Sequence, residues 1–370
     1  MIKSLRQIAR IAPDLKGWKS KNKYVVIESD DWGCERIRDN EQLGNIPTEW
    51  KKFYNSPYYK FDSIARIDDL ENLFSLLKSY KGMDGKPPVI TANTIVGNPD
   101  YGKIKESGFN EFHYIDFRKT LKSFDEHLFE TWEKGIELGV FKPQFHGRDH
   151  INVEAWLDVL RSGDEVYLDA FERGICSVDR SLNKSKRNLM AALLTNDINI
   201  QISKCESLRD GIRIFKDAFG YNSESFIAPS YTWFDLAEKE LAKLGVKYLQ
   251  GIRNQKKPNS QNDTNYIKHY LGEKNKYNQH YLIRNVFFEP SIYGEVNIIE
   301  DCMERMRWSF YFNRPVIISM HRLNIIGRLV PENHTRNLNF LDNFLKKMLK
   351  KWPDIEFVSS DELGNKINSI

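Results

Sequence analysis

Cysteine is scarce in this chain: Cys34, Cys176, Cys205 and Cys302 are the only four in 370 residues. They are isolated from one another, which excludes a disulfide framework and a paired-cysteine zinc site and points to a reducing compartment. An excess of one charge is also missing, since 55 basic residues face 51 acidic ones for a formal net of +4. That balance leaves no electrostatic footprint for nucleic acid. The one basic run, Lys346, Lys347, Lys350 and Lys351, has helical spacing beside Leu345 and Leu349 and reads as a solvated helix face. Long apolar runs are absent too, so no transmembrane segment is expected. The opening MIKSLRQIARIAPDLKGWKSKNKY alternates charged and apolar residues instead of forming the apolar core of a secretory signal. The protein is therefore expected to be soluble and cytoplasmic. Ile2, Leu5, Ile8 and Ile11 fit a short amphipathic helix, expected to pack on the body rather than lie on a membrane surface, since only one face is apolar and no Trp or Phe anchors it.

What is present is a chain that is 41% hydrophobic and 13% aromatic, enough to bury a large core. Short β-branched runs alternate with amphipathic stretches, the pattern of parallel strands joined by helices. The strand candidates are 24–31, 88–96, 140–146, 225–231, 246–251, 282–288, 316–321 and 355–360. Helices are expected over 68–78, 124–135, 153–160, 207–219, 234–244, 297–310 and 337–351. Seven or eight such units predict an α/β fold, a distorted (β/α) barrel, over an open doubly wound sheet. No linker divides the chain, so residues 1–370 are read as one domain. Polar segments 33–66 and 252–280 are read as insertions, the second as a mobile loop.

In such barrels the chemistry gathers where strands end, and Asp30, Asp31, His146, Tyr231 and His321 each end a strand candidate. HGRDH at 146–150 sets two imidazoles at i and i+4, on one face if the segment is helical. Asp30 and Asp31 leave YVVIES together, pointing different ways, so one can ligate a cation while the other faces its water. One carboxylate and two imidazoles describe a zinc or comparable divalent-metal site. Plainer readings stand beside these. The Asp pair could cap a turn, the two histidines could open a helix, and His321 could be a satisfied core residue. Trp32, Tyr231 and Trp233 could stack on a sugar or simply pack. Arg284 and Glu289 flank a strand candidate, where a surface ion pair would account for them.

Taken in order, ESDDW, HGRDH, FIAPSYTW and ISMHR resemble the motifs of the polysaccharide deacetylases of carbohydrate esterase family four, and most of all a divergent branch found in bacterial surface-polysaccharide gene clusters. The resemblance implies Asp30 as general base, Asp31, His146 and His150 as metal ligands, and His321 as general acid. It also implies that Pro229 and Tyr231 line the groove and that the Tyr231 region donates a backbone amide to the oxyanion. The family's Arg before that Pro is absent, Ile227 and Ala228 occupying the region, which leaves Arg148 or Arg322 to supply charge beside the base. The implied activity is hydrolytic removal of N- or O-linked acetyl from a carbohydrate, with zinc the first-choice metal. A catalytically silent carbohydrate-binding protein on the same barrel, or another metal-dependent amidase or glycosidase, is the competing expectation.

Overall fold

The computed structural model describes residues 16–179, 188–259, 263–294 and 297–369. The expected helix through Ile2, Leu5, Ile8 and Ile11 lies outside the described residues. In chain order the strands are β1 (Lys23–Trp32), β2 (Ile90–Ile95), β3 (Gly97–Pro99), β4 (Tyr114–Asp116), β5 (Phe141–Gly147), β6 (Ser225–Ile227) and β7 (Tyr248–Gly251), followed by β8 (Asn254–Pro258), β9 (Thr264–Lys268), β10 (His280–Ile283), β11 (Val286–Phe287), β12 (Val316–His321) and β13 (Ile355–Phe357). Nine of them form one sheet in the order β10-β7-β6-β5-β2-β1-β12-β11, with β13 beside the start of β1. Every pairing in it is parallel.

All eight strand candidates enter this sheet. Candidate 282–288 enters as two strands, because the chain crosses from one side of the sheet to the other in its middle. The Arg284 amide donates to Gly251 on β7, and the next amide, of Asn285, donates to Ile317 on β12. One broken strand thereby joins both ends of the sheet and curls it into a distorted (β/α) barrel.

Helices cover the outside because their apolar residues recur every three or four positions. Ile67–Lys78 buries Leu70, Leu73, Phe74 and Leu77, and Ile198–Phe219 buries Leu208, Ile212 and Phe215. The stretch 124–135 differs from expectation: Phe117–Phe124 and Leu128–Glu137 are separate helices, broken at Asp125, whose backbone is extended. A smaller apolar cluster, including Ile37, Tyr54, Tyr59, Trp156, Tyr167 and Phe171, ties segment 33–66 to the helices that follow β5. Segment 252–280 is not the expected loop, since β8 and β9 pair as an antiparallel ladder. Their residues are mostly exposed or half-buried, apart from Gln255, so no apolar alternation marks them in the sequence. Among the described residues no helix is long and apolar enough to cross a membrane.

Candidate functional site

Glu28 and Asp30, two apart on β1, share a side of the strand. Beyond Ser29 the β1–β2 register slips, with Ser29 opposite Ala92 and Trp32 opposite Thr94. This bulge throws Asp31 into a left-handed conformation, φ +73°, a strained geometry of the kind concentrated at functional positions. On β5, His146 precedes Gly147, whose φ of +121° is open to glycine and turns the chain sharply. The histidine segment is therefore a strand end and a turn, not the helix its spacing allowed. The turn brings His150 back beside His146.

The three side chains meet. Asp31 Oδ1 lies 3.4 Å from His146 Nε2 and 3.0 Å from His150 Nε2, and one ligand atom from each lies within 4.8 Å of the others. His146 Nδ1 donates to the Ile227 carbonyl at 2.8 Å, which fixes the ring and turns Nε2 toward Asp31. Arg36 donates to Asp31 Oδ2 at 3.3 Å, while Asp31 Oδ1 is buried with no hydrogen-bond partner. Burial opposes the Asp31 charge, yet His150, His146 and Arg36 hold its carboxyl well below the usual range. Burial also lowers the His150 pKa, against the pull of Asp31. A carboxylate held ionised, facing two imidazoles, is a donor set that fits a divalent cation.

Beside it, Arg284 grips Asp30 through both terminal nitrogens at 2.6 Å. Its Nε donates to Glu28 at 2.5 Å, and Asn93 donates to Asp30 Oδ1 at 2.7 Å. Burial raises the Asp30 pKa, but Arg284 outweighs it and brings the group down to about 2. His321, at the end of β12, holds Glu289 through Nδ1 at 2.7 Å. Its Nε2 lies 3.9 Å from Asp30 Oδ2 and 3.3 Å from the Tyr58 hydroxyl. Burial disfavours its charge, but Glu289, followed by Asp31 and Asp30, pushes it up to about 10. Asp30, Asp31, His146, His150, Tyr231 and His321 all line one cavity of about 780 Å³.

Other expected residues sit elsewhere. Trp32 is buried against Phe141 and Trp132 with its indole nitrogen on Ser29, and Trp233 is buried with its own on Glu238. Both are packing residues: Trp32 ends β1, Trp233 sits on the connection after β6, and neither lines the cavity. Arg148 binds Asp149 and Asp210 and faces a separate cavity behind the histidine turn. Pro229 faces that rear cavity too. Arg322 binds Asp62 and the Cys34 carbonyl. Neither arginine supplies charge to Asp30; Arg284 does. The Tyr231 amide is taken by the Ala228 carbonyl, so it is not an oxyanion donor, while its hydroxyl lies 3.1 Å from Arg284. Arg284 and Glu289 form no surface pair, since both are buried and each serves a different partner. Glu28, Arg36, Asp62, Tyr58 and Asn93 escaped the sequence reading. Only the charge inside the apolar runs YVVIES and LIRNVFF signalled Glu28 and Arg284.

The fold and site together define a (β/α) barrel with a one-carboxylate, two-imidazole cluster at its strand ends. No protein-family model and no curated protein matches the chain. Among solved structures it is similar to a 4-alpha-glucanotransferase from Thermococcus litoralis, at 8% identity and TM-score 0.40 over 92% of this chain and 40% of that one. It is similar to a CE4 family pseudoenzyme from Bacillus anthracis, at 10% and 0.38 over 91% and 64%. A putative polysaccharide deacetylase from Mycobacterium smegmatis matches at 9% and 0.43 over 96% and 93%. The chain thus spans less than two thirds of the length of the first two.

Proposed function

We propose that this protein is a metal-dependent hydrolase that removes acetyl groups, N- or O-linked, from a carbohydrate, acting as one unit over residues 1–370 in the cytoplasm. The observation that carries the reading is the convergence of Asp31, His146 and His150 beside an ionised Asp30 and a charged His321. A divalent cation held by the three, zinc first, would supply Lewis-acid polarisation of the acetyl carbonyl and acidify water to a pKa of about 7.

The chain's own groups do the rest. Asp30, ionised and fixed in orientation by Arg284 and Asn93, accepts the proton of the attacking water. His321 keeps Nδ1–H on Glu289 and presents Nε2–H to the departing amine or alcohol. Tyr58 and Tyr231 line the cavity and narrow the approach. A glycosidase reading is weaker. Glu289, a candidate for its second carboxylate, has its oxygens already taken by His321 and Asn324.

The test is metal content together with acetate release from acetylated sugars, comparing wild type with Asp31→Ala and His146→Ala. One metal per chain and acetate release, both lost in the variants, is the expected result. A wild type that binds no metal after zinc reconstitution would overturn the mechanism. Metal and sugar binding without acetate would favour the silent carbohydrate-binding protein, a reading to which the tight hold of Arg284 on Asp30 lends weight.

A further inference from the structure

Of the four carboxylates that line the cavity, Asp30, Asp31 and Glu289 have cations of their own, Arg284 at 2.6 Å, Arg36 at 3.3 Å and His321 at 2.7 Å, and Asp179 is not free either. The wall that follows β7, residues 252–256, adds Arg253 and no acid, and the helix Ile298–Tyr311 adds Arg305. Arg305, which lines the cavity, uses Nε on Asp301 at 2.7 Å. Arg253 has no carboxylate within ion-pair distance among the described residues, and its Nε is buried with no acceptor. Its nearest aromatic contact, Tyr270, is 5.5 Å from ring centroid to guanidinium, the far end of the useful cation–π range. A buried donor with no acceptor is destabilising unless a ligand supplies one. The guanidinium fork matches the oxygens of phosphate or carboxylate.

We infer that the acetylated sugar bound in this cavity carries an anionic group, phosphate or carboxylate, which Arg253 holds with help from Arg305. This rests on the proposed deacetylase reading for the acetyl group, but the anion is bound whether or not turnover follows.

The test is calorimetric binding, alongside acetate release, of N-acetylglucosamine, N-acetylglucosamine 1-phosphate and the uronic acid of the same N-acetylated sugar. Binding of at least one anionic sugar about tenfold or more tighter than the neutral one is expected, the scale of one charge-assisted hydrogen bond. The preference should fall with rising salt. It should shrink severalfold in Arg253→Gln and be partly kept in Arg253→Lys. The anion that binds tighter, phosphate or carboxylate, identifies the source. Equal binding of neutral and anionic sugars, binding of none of them, or a preference untouched by Arg253→Gln would overturn the inference. Acetate release without anion preference defeats this inference and leaves the deacetylase reading standing. Anion preference without acetate does the reverse.

Discussion

Glu289 decides how long His321 stays charged. With that carboxylate on Nδ1 the imidazole is held at about 10 against an ordinary 6.5, so a proton donor is available through the neutral range. Removing the carboxylate lowers the pKa. In Glu289→Gln the alkaline limb of kcat/KM should therefore move down toward neutral pH, read from a pH–rate profile. The same linkage acts on stability: a raised imidazole pKa stabilises fully below 6.5 and loses that contribution as pH rises through about 10. The wild-type melting temperature should fall across that window more steeply than the variant's. Asp30, near 2, is ionised at any working pH but is a reluctant base, so its value lies in placement. Arg284 is the residue that fixes it. Arg284→Met leaves Glu28 and Asp30 buried without their cation and should destabilise the fold by about 3–5 kcal/mol, measured by denaturant unfolding. Asp31, His146 and His321 were legible because each ends an apolar strand, and His150 because it follows His146 at a spacing of four. Their partners were not, because Arg284 and Glu289 meet them only across strands that the sequence does not place side by side, and Arg36 only through the turn that follows β1.

Among the elements, the helix Ile198–Phe219 backs the strand that carries His146. At Gly211 an added Cβ would come within 2.7 Å of the Phe145 ring and 3.0 Å of Arg148 Cβ, both next to His146 and His150. Alanine gains about 1 kcal/mol in helix propensity, while overpacking a filled contact costs about 1–3 kcal/mol. Gly211→Ala is therefore expected to lower the melting temperature and, by displacing β5, to weaken metal binding in a titration. The strand candidates were readable because parallel strands buried on both faces are continuous apolar runs. β1, buried from Tyr24 to Trp32, is the clearest. The β8–β9 ladder was not readable, because only Gln255 in it is buried and an exposed ladder has the composition of a loop.

For the whole molecule, a cation that binds only the folded chain shifts the unfolding equilibrium. At a free zinc concentration one hundred times the dissociation constant, stability should rise by about 2.7 kcal/mol. The gain should vanish in His146→Ala, and a calorimetric scan with and without metal checks it. The barrel itself closes through the single crossing at Arg284 and Asn285, where successive amides bond to β7 and β12. That crossing works as a clasp. While it holds, neither β7 nor β12 offers free backbone groups along its outer side; if it slips, both are bared at once, each a ready template for strands of another molecule. Aggregation, and with it the irreversibility of heating, should therefore start from this short stretch between β10 and β11.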